Sequence, residues 1–241
     1  MSFEGKSVIV TGASKGIGRA CALLLARRGA EIVALGRTQS ELDSLRAEIG
    51  GRSITVDLGD AAAVRRAMSE AGTCDFLVNN AGTNVLESVL DMTEAGYEAV
   101  LGLNLRAALI ASQEFARRRI AAGGGGAIVN VTSIAAHRGF QDHLCYAASK
   151  AGLEAASRVM AKELGPHRIR VNCVAPTITL TDLAAVAWSD PQKSEPMMVR
   201  HPLGHFASVD EVARIVGILL SEDSKMVSGA VLPVDGGFLA V

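Results

Sequence analysis

Aromatic side chains are scarce in this chain: one Trp, two Tyr and six Phe among 241 residues. A core with so few rings must be built from Ala, Val, Leu and Ile, and strands covered by helices on both faces suit that composition. Charge of either sign is not in excess. The formal net charge is −1 and no basic run offers a phosphate-tracking stripe, which disfavours nucleic-acid binding. No stretch reaches the roughly 18 uninterrupted apolar residues that a membrane span needs. The opening MSFEGKSVIVTG enters a strand with neither a basic nor a long apolar segment, so secretion is not expected either. The four cysteines, Cys21, Cys74, Cys145 and Cys173, have no CxxC spacing and lie mostly among aliphatic residues. They read as small hydrophobes in a reduced, cytoplasmic protein, with no metal expected.

What is present is alternation. Short β-type runs at 7–10, 31–35, 53–56, 75–78, 127–131, 169–174 and 230–234 interleave with helical patterns at 18–29, 39–50, 61–72, about 94–122, 146–165 and 209–220. Seven strands in this rhythm predict parallel βαβ units with right-handed crossovers. That is a single α/β domain over residues 1–241, one sheet with helices on both faces. Gly29, Gly50, Gly72 and Gly165 fall where helix C-caps belong. The run GGGG at 123–126 reads as a flexible turn. Residues 180–203 carry the only Trp, three prolines and weak periodicity, and are expected to be a substrate loop.

Three features carry chemistry. Gly12, Gly16 and Gly18 lie between the first strand and the first helix, the context in which backbone approaches a pyrophosphate at a helix N-terminus. The second strand ends Ala34-Leu35-Gly36-Arg37-Thr38, with no carboxylate for a ribose 2′-hydroxyl. Arg37 and Lys15 instead offer cations suited to a 2′-phosphate, so NADPH is the expected cofactor. Asp57, ending the third strand, is placed either to accept from an adenine amino group or to cap the next segment. Tyr146 and Lys150 stand four apart, thirteen residues after Ser133. On a helix they share a face, where an ammonium lowers the phenol's pKa toward the useful range and makes Tyr146 a proton donor.

TGASKGIG (11–18), NNAG (79–82), Asn104, Ser133 and Tyr146 with Lys150 resemble, in order and spacing, the short-chain dehydrogenase/reductase family from about residue 6 onward. The resemblance implies a Rossmann fold and a hydride-transfer site. In it Tyr146 is the general acid/base, Ser133 positions the substrate oxygen, Lys150 holds the nicotinamide ribose, and Asn104 supports a proton-relay water. It also implies cofactor contacts at Gly12, Ser14, Lys15, Gly16, Ile17, Gly18, Arg37, Thr38, Asp57, Leu58, Asn80, Ala81, Gly82, Tyr146, Lys150, Pro176, Thr179 and Thr181, and commonly a homotetramer.

RTQSELDSL (37–45), ELGPHRIRVN (163–172), AWSDPQK (187–193) and LPVDGGF (232–238) are similar to the L-xylulose or dicarbonyl reductase branch of that family, which reduces ketoses and α-dicarbonyls with NADPH. The similarity implies a place in carbohydrate metabolism and a substrate pocket lined by Ser133, Tyr146, His143 and Trp188. Ile134 departs from the branch, which usually carries glutamine there. The change removes a donor and an acceptor and favours a less hydroxylated substrate. Two other readings stay open: a polyol or secondary-alcohol dehydrogenase running oxidatively with NAD, and a non-catalytic dinucleotide-binding sensor.

Overall fold

A computed structural model describes residues 1–181, 184 and 188–241. Seven parallel strands form the central sheet: β1 (Ser7–Thr11), β2 (Glu31–Gly36), β3 (Arg52–Thr55), β4 (Phe76–Asn79), β5 (Gly126–Val131), β6 (Ile169–Pro176) and, after a two-residue ribbon of β7 (Thr179–Leu180) with β8 (Ala207–Ser208), β9 (Val231–Val234). Their spatial order is β3-β2-β1-β4-β5-β6-β9. This is the Rossmann fold, with the expected seven strands at boundaries within about two residues of those read from the pattern.

The strands are aliphatic runs because both faces are buried. On one face Val8, Val10, Ile32 and Val129 pack against Cys21 and Leu25 of α1 (Gly16–Arg27), Leu42 and Leu45 of α2 (Gln39–Ile49), and Val212, Val216 and Leu220 of α8 (Val209–Leu220). On the other, Ile9, Val33, Leu77 and Ile128 meet Val64 and Met68 of α3 (Ala61–Ala71) and Ala111 and Phe115 of α5 (Ala107–Ala121). The other α-helices among the described residues are α4 (Glu94–Leu101), α6 (Leu144–Leu164) and α7 (Pro191–Met198). Among the described residues no helix is long and apolar enough to cross a membrane.

Four local expectations are corrected. The stretch expected as one helix over 94–122 is α4 and α5 joined by a π-helical turn, Gly102–Arg106. Gly165 is the C-cap of α6, as expected of its position, but not in the left-handed conformation that usually favours glycine there. It has φ −55° and continues into a 3-10 turn, and Arg168, with φ +60°, makes the reversal. The run Gly123–Gly126 is constrained rather than merely flexible: all four have positive φ. A Cβ at Gly124 would lie 2.5 Å from His167 O, and one at Gly126 would lie 2.2 Å from Asp75 O. The segment 180–203 is not wholly irregular, since α7 lies within it.

Candidate active site

The strand order reverses between β1 and β4, and in doubly wound sheets ligands bind in the crevice at that switch point. Here a cleft of about 280 Å³ opens at the strands' carboxyl ends. Ser14, Lys15 and Ile17 line one side, Arg37, Thr38 and Leu58 a second, and Asn80, Ala81, Gly82 and Thr181 a third. The glycine turn is built for close approach. A Cβ at Gly18 would lie 2.2 Å from Gly12 O, and Gly12 itself has φ +64°. Asn80 Nδ2 staples the turn by donating to Thr11 O (3.0 Å) and Gly12 O (3.1 Å). Lys15 is the N-cap of α1 and makes no side-chain cap, so the first-turn N–H groups are left for an anion. A pyrophosphate fits this cradle.

At the far end Arg37 and Thr38 are exposed beside Lys15. The pattern missed one neighbour: Glu41, on the first turn of α2, also lines the cleft, with Oε1 3.7 Å from Lys15 Nζ and Oε2 buried without a hydrogen-bond partner. Gly36 ends β2 against Leu42, where a Cβ would sit 3.2 Å from Leu42 Cδ2. Asp57 Oδ1 accepts from Gly59 N (2.9 Å), a bond within the turn that follows β3. Gly16 packs on Thr181, Thr179 Oγ1 donates to Thr177 O (3.0 Å), and Pro176 ends β6 beside Val234. Val56 and Leu103 complete the lining, which short motifs do not reveal.

Helix α6 carries the expected acid/base pair, and its Lys150 Nζ comes to the edge of the cleft, 3.5 Å from where a Cβ on Gly82 would lie. Ser133 is the polar side-chain neighbour of the Tyr146 phenol, and Lys150 Nζ lies 5.6 Å from the Tyr146 ring centroid. Lys150 is buried and donates to Val131 O at 2.9 Å. Burial pushes its ammonium down to about 8. The expected depression of the phenol is not found. Burial raises the Tyr146 pKa above the ordinary phenol value, and only the Ser133 hydrogen bond works the other way. A phenol in that state is protonated at neutral pH, the form a proton donor requires.

Asn104 stands in the π turn, 1% exposed. Its Oδ1 accepts from Thr83 N (2.8 Å), and its Nδ2 donates to Thr83 O (2.9 Å) and Ser149 Oγ (3.1 Å). The side chain therefore ties the loop after β4 to α6, with both Nδ2 hydrogens and one Oδ1 lone pair engaged. A π turn is a common way to place such a residue at a site. A Cβ at Gly82 would fall 3.2 Å from Asn104 Oδ1 and 3.5 Å from Lys150 Nζ, so glycine lets these groups converge.

On the substrate side, His143 sits edge-on to Tyr146 with ring centroids 5.9 Å apart. Its Nδ1 lies 2.6 Å from Gln141 O, which only accepts, so Nδ1 carries the proton and Nε2 of the neutral ring is an acceptor. Ile134 opens the 3-10 turn after Ser133 and is 4% exposed, packed almost wholly against protein. Trp188 rests on Phe206 (centroids 5.5 Å) under the Lys193 ammonium (4.8 Å). Its contacts hold α7 to the region before β8. The rest of the late loop, residues 182, 183 and 185–187, lies outside the described residues.

A family profile described as enoyl-(acyl carrier protein) reductase matches residues 12–239. The chain is 48% identical to D-erythrulose reductase of Gallus gallus, over 99% of this chain and 98% of that protein. It is 47% identical to L-xylulose reductase of Bos taurus, over 100% and 99%. Among solved structures, a short chain dehydrogenase/reductase family protein matches with TM-score 0.92 and 36% identity over 100% of both chains. A protein from Beutenbergia cavernae described as an NAD(P) dependent gluconate 5-dehydrogenase, with NADP bound at low occupancy, matches with TM-score 0.94 and 33% identity over 100% and 99%.

Proposed function

The chain belongs to the short-chain dehydrogenase/reductase family, and from that premise we propose that it is an NADPH-dependent reductase of small ketoses, α-dicarbonyls or related ketones. The observation that carries the reading is the cluster of Ser133, Tyr146 and Lys150 beside the glycine-turn cleft, which Lys150 Nζ approaches at Gly82. Two relatives that match over nearly the whole chain are described as D-erythrulose reductase and L-xylulose reductase.

When bound, the nicotinamide cofactor supplies a hydride to the carbonyl carbon. The chain's residues handle the oxygen. Ser133 donates a hydrogen bond that orients it, and Tyr146 passes its proton to it as negative charge builds. Lys150, protonated below about pH 8, offsets the charge left on the phenol. Asn104 fixes the π turn and, through Ser149, whose hydroxyl donates to Tyr146 O at 2.7 Å, the start of α6. His143 Nε2 is the acceptor for a substrate hydroxyl. Ile134 restricts the pocket, and residues 180–203, with Trp188, form the substrate loop. The remaining cofactor contacts are those carried by the cleft and the glycine turn. Arg37 and Lys15 take the 2′-phosphate, which supports NADPH over NADH. The four cysteines are free and buried, which suits a reducing cytoplasm. We place the enzyme in carbohydrate metabolism, as a homotetramer.

The test is a panel of ketoses, α-diketones and polyols assayed with NADPH, NADH and their oxidised forms, following nicotinamide absorbance. The expected result is NADPH-dependent reduction of ketoses and diketones. Turnover of polyols with NAD alone would establish the oxidative reading instead.

A further inference from the structure

One buried carboxylate has no part in the chemistry above. Glu154 is 4% exposed and stands on α6 as the third member of the series Tyr146, Lys150, Glu154, each four residues on, so all three face the same way. A carboxylate this far from water needs hydrogen-bond partners. Its Oε1 accepts from Thr132 Oγ1 at 2.9 Å and lies 3.1 Å from His137 Nε2.

Both partners belong to the turn that carries Ser133. Thr132 directly precedes the serine. His137 is the C-cap of the 3-10 turn Ile134–Ala136, and its N–H donates to Ile134 O at 2.9 Å. Inside the turn Ala136 N donates to Ser133 O (3.0 Å), and Ala135 N donates to Ser133 Oγ (3.2 Å). The turn's backbone is therefore closed on itself, while Glu154 grips it from α6 at both ends. Thr132 is also held by Val174 O, through its N at 2.7 Å and its Oγ1 at 3.1 Å, so the His137 ring is the part of the turn whose side-chain bond is to Glu154 alone.

We propose that Glu154 is a positioning residue: by clamping Thr132 and His137 to α6, it fixes the Ser133 hydroxyl relative to the Tyr146 phenol on the same helix. The proposal rests on the reading of Ser133 as the group that orients the substrate oxygen. A clamp of this kind acts on the rate of the chemical step, because a displacement of about 1 Å at a positioned group costs on the order of 100-fold. It does not act on the cofactor cleft, none of whose lining residues touches Glu154.

The test is a mutant cycle on the full-length enzyme. Glu154→Ala, Glu154→Gln and His137→Ala are each made alone and in a Ser133→Ala background, with kcat, ketone KM and NADPH Kd measured for all. Glu154→Ala is expected to lower kcat about 10- to 100-fold while leaving NADPH Kd within about twofold. Glu154→Gln, which keeps an acceptor for Thr132 and His137, should recover most of that loss. In the Ser133→Ala background Glu154→Ala should cost less than about threefold, because the group it positions is gone. Should Glu154→Ala not fold, His137→Ala, which removes one end of the clamp from a part-exposed site, carries the same cycle. Full multiplication of the two losses, with Ser133→Ala itself strongly impaired, would overturn the positioning role alone. A Ser133→Ala enzyme at wild-type rate would overturn the reading of the site and the clamp together.

Discussion

Lys150 and Tyr146 stand 5.6 Å apart, ammonium to ring centroid, yet the ammonium's hydrogen bond goes to Val131 O, and the phenol's polar side-chain neighbour is Ser133. The pair thus communicates through space rather than through a bond.

Tyr146→Phe removes the proton donor beside Ser133 but leaves the ring and its His143 contact. Reductase kcat should fall by about 10²- to 10⁴-fold, the usual contribution of a positioned acid, with NADPH Kd nearly unchanged. Steady-state rates together with cofactor fluorescence titration check both halves. A variant turning over at the parent rate would remove Tyr146 from the mechanism.

The two pKa directions give a pH profile with a definite sign. Tyr146 is raised, so the donor stays loaded across the neutral range. Lys150 is lowered to about 8, so the charge that offsets the forming phenolate is lost as pH rises through that value. In the ketone-reducing direction kcat/KM should fall above about pH 8, since that ratio reports the free enzyme. Stability behaves oppositely. Between about pH 8 and the ordinary lysine value of 10.5 the unfolded chain holds more protons than the folded one, so unfolding free energy gains with rising pH from this group. A kcat/KM profile level across this range would exclude Lys150 from the rate.

The parts legible in the sequence are those whose geometry is local. Strand and helix order followed from hydrophobic period. The glycine turn and the Tyr146/Lys150 pair followed from spacings under eight residues, because one turn or one helix face sets the distance. What escaped depends on the chain returning to itself. Glu154 meets Thr132 and His137 across 22 and 17 residues, and Glu41 meets Lys15 across 26. The π turn escaped for another reason: its extra residue shifts backbone hydrogen bonds without breaking the apolar pattern. The direction of the Tyr146 shift was missed because four-residue spacing supplies the ammonium's neighbourhood and says nothing of burial. Ile134 was placed correctly after Ser133, but its 4% exposure means that a glutamine there would have to bury its amide.

Gly18→Ala tests the cradle. The new methyl carbon would sit 2.2 Å from Gly12 O and 2.4 Å from Asn80 Nδ2, both part of the turn the cofactor approaches. Backbone must shift, at a cost of about 1–3 kcal/mol in stability by overpacking. Thermal unfolding should show a lower Tm, and NADPH binding should weaken at least tenfold. An alanine variant with parent Tm and Kd would mean that the turn relaxes freely and that Gly18 is not needed for close approach.

The last prediction concerns the 2′ end, where charges of both signs meet. Arg37 is exposed and its guanidinium suits a phosphate fork, while Glu41 draws on Lys15 at 3.7 Å and keeps one oxygen buried without a partner. The two should push cofactor choice in opposite directions. Arg37→Asp removes a charge-assisted contact worth about 1.5–3 kcal/mol and adds a repulsive carboxylate. The ratio of kcat/KM for NADPH over NADH should therefore drop by at least about 10- to 100-fold. Glu41→Gln frees Lys15 and removes a like charge from the neighbourhood of a 2′-phosphate, so the same ratio should rise, by about three- to tenfold for a partly exposed pair. The double variant tells whether they act on one ligand group: if both work through the 2′-phosphate, Glu41→Gln loses its effect on the ratio once Arg37 is gone. Ratios unmoved by either substitution would sink the 2′-phosphate assignment. A Glu41→Gln enzyme that gained equally for NADPH and NADH would place Glu41's influence on the adenosine shared by both cofactors, not on the phosphate that separates them.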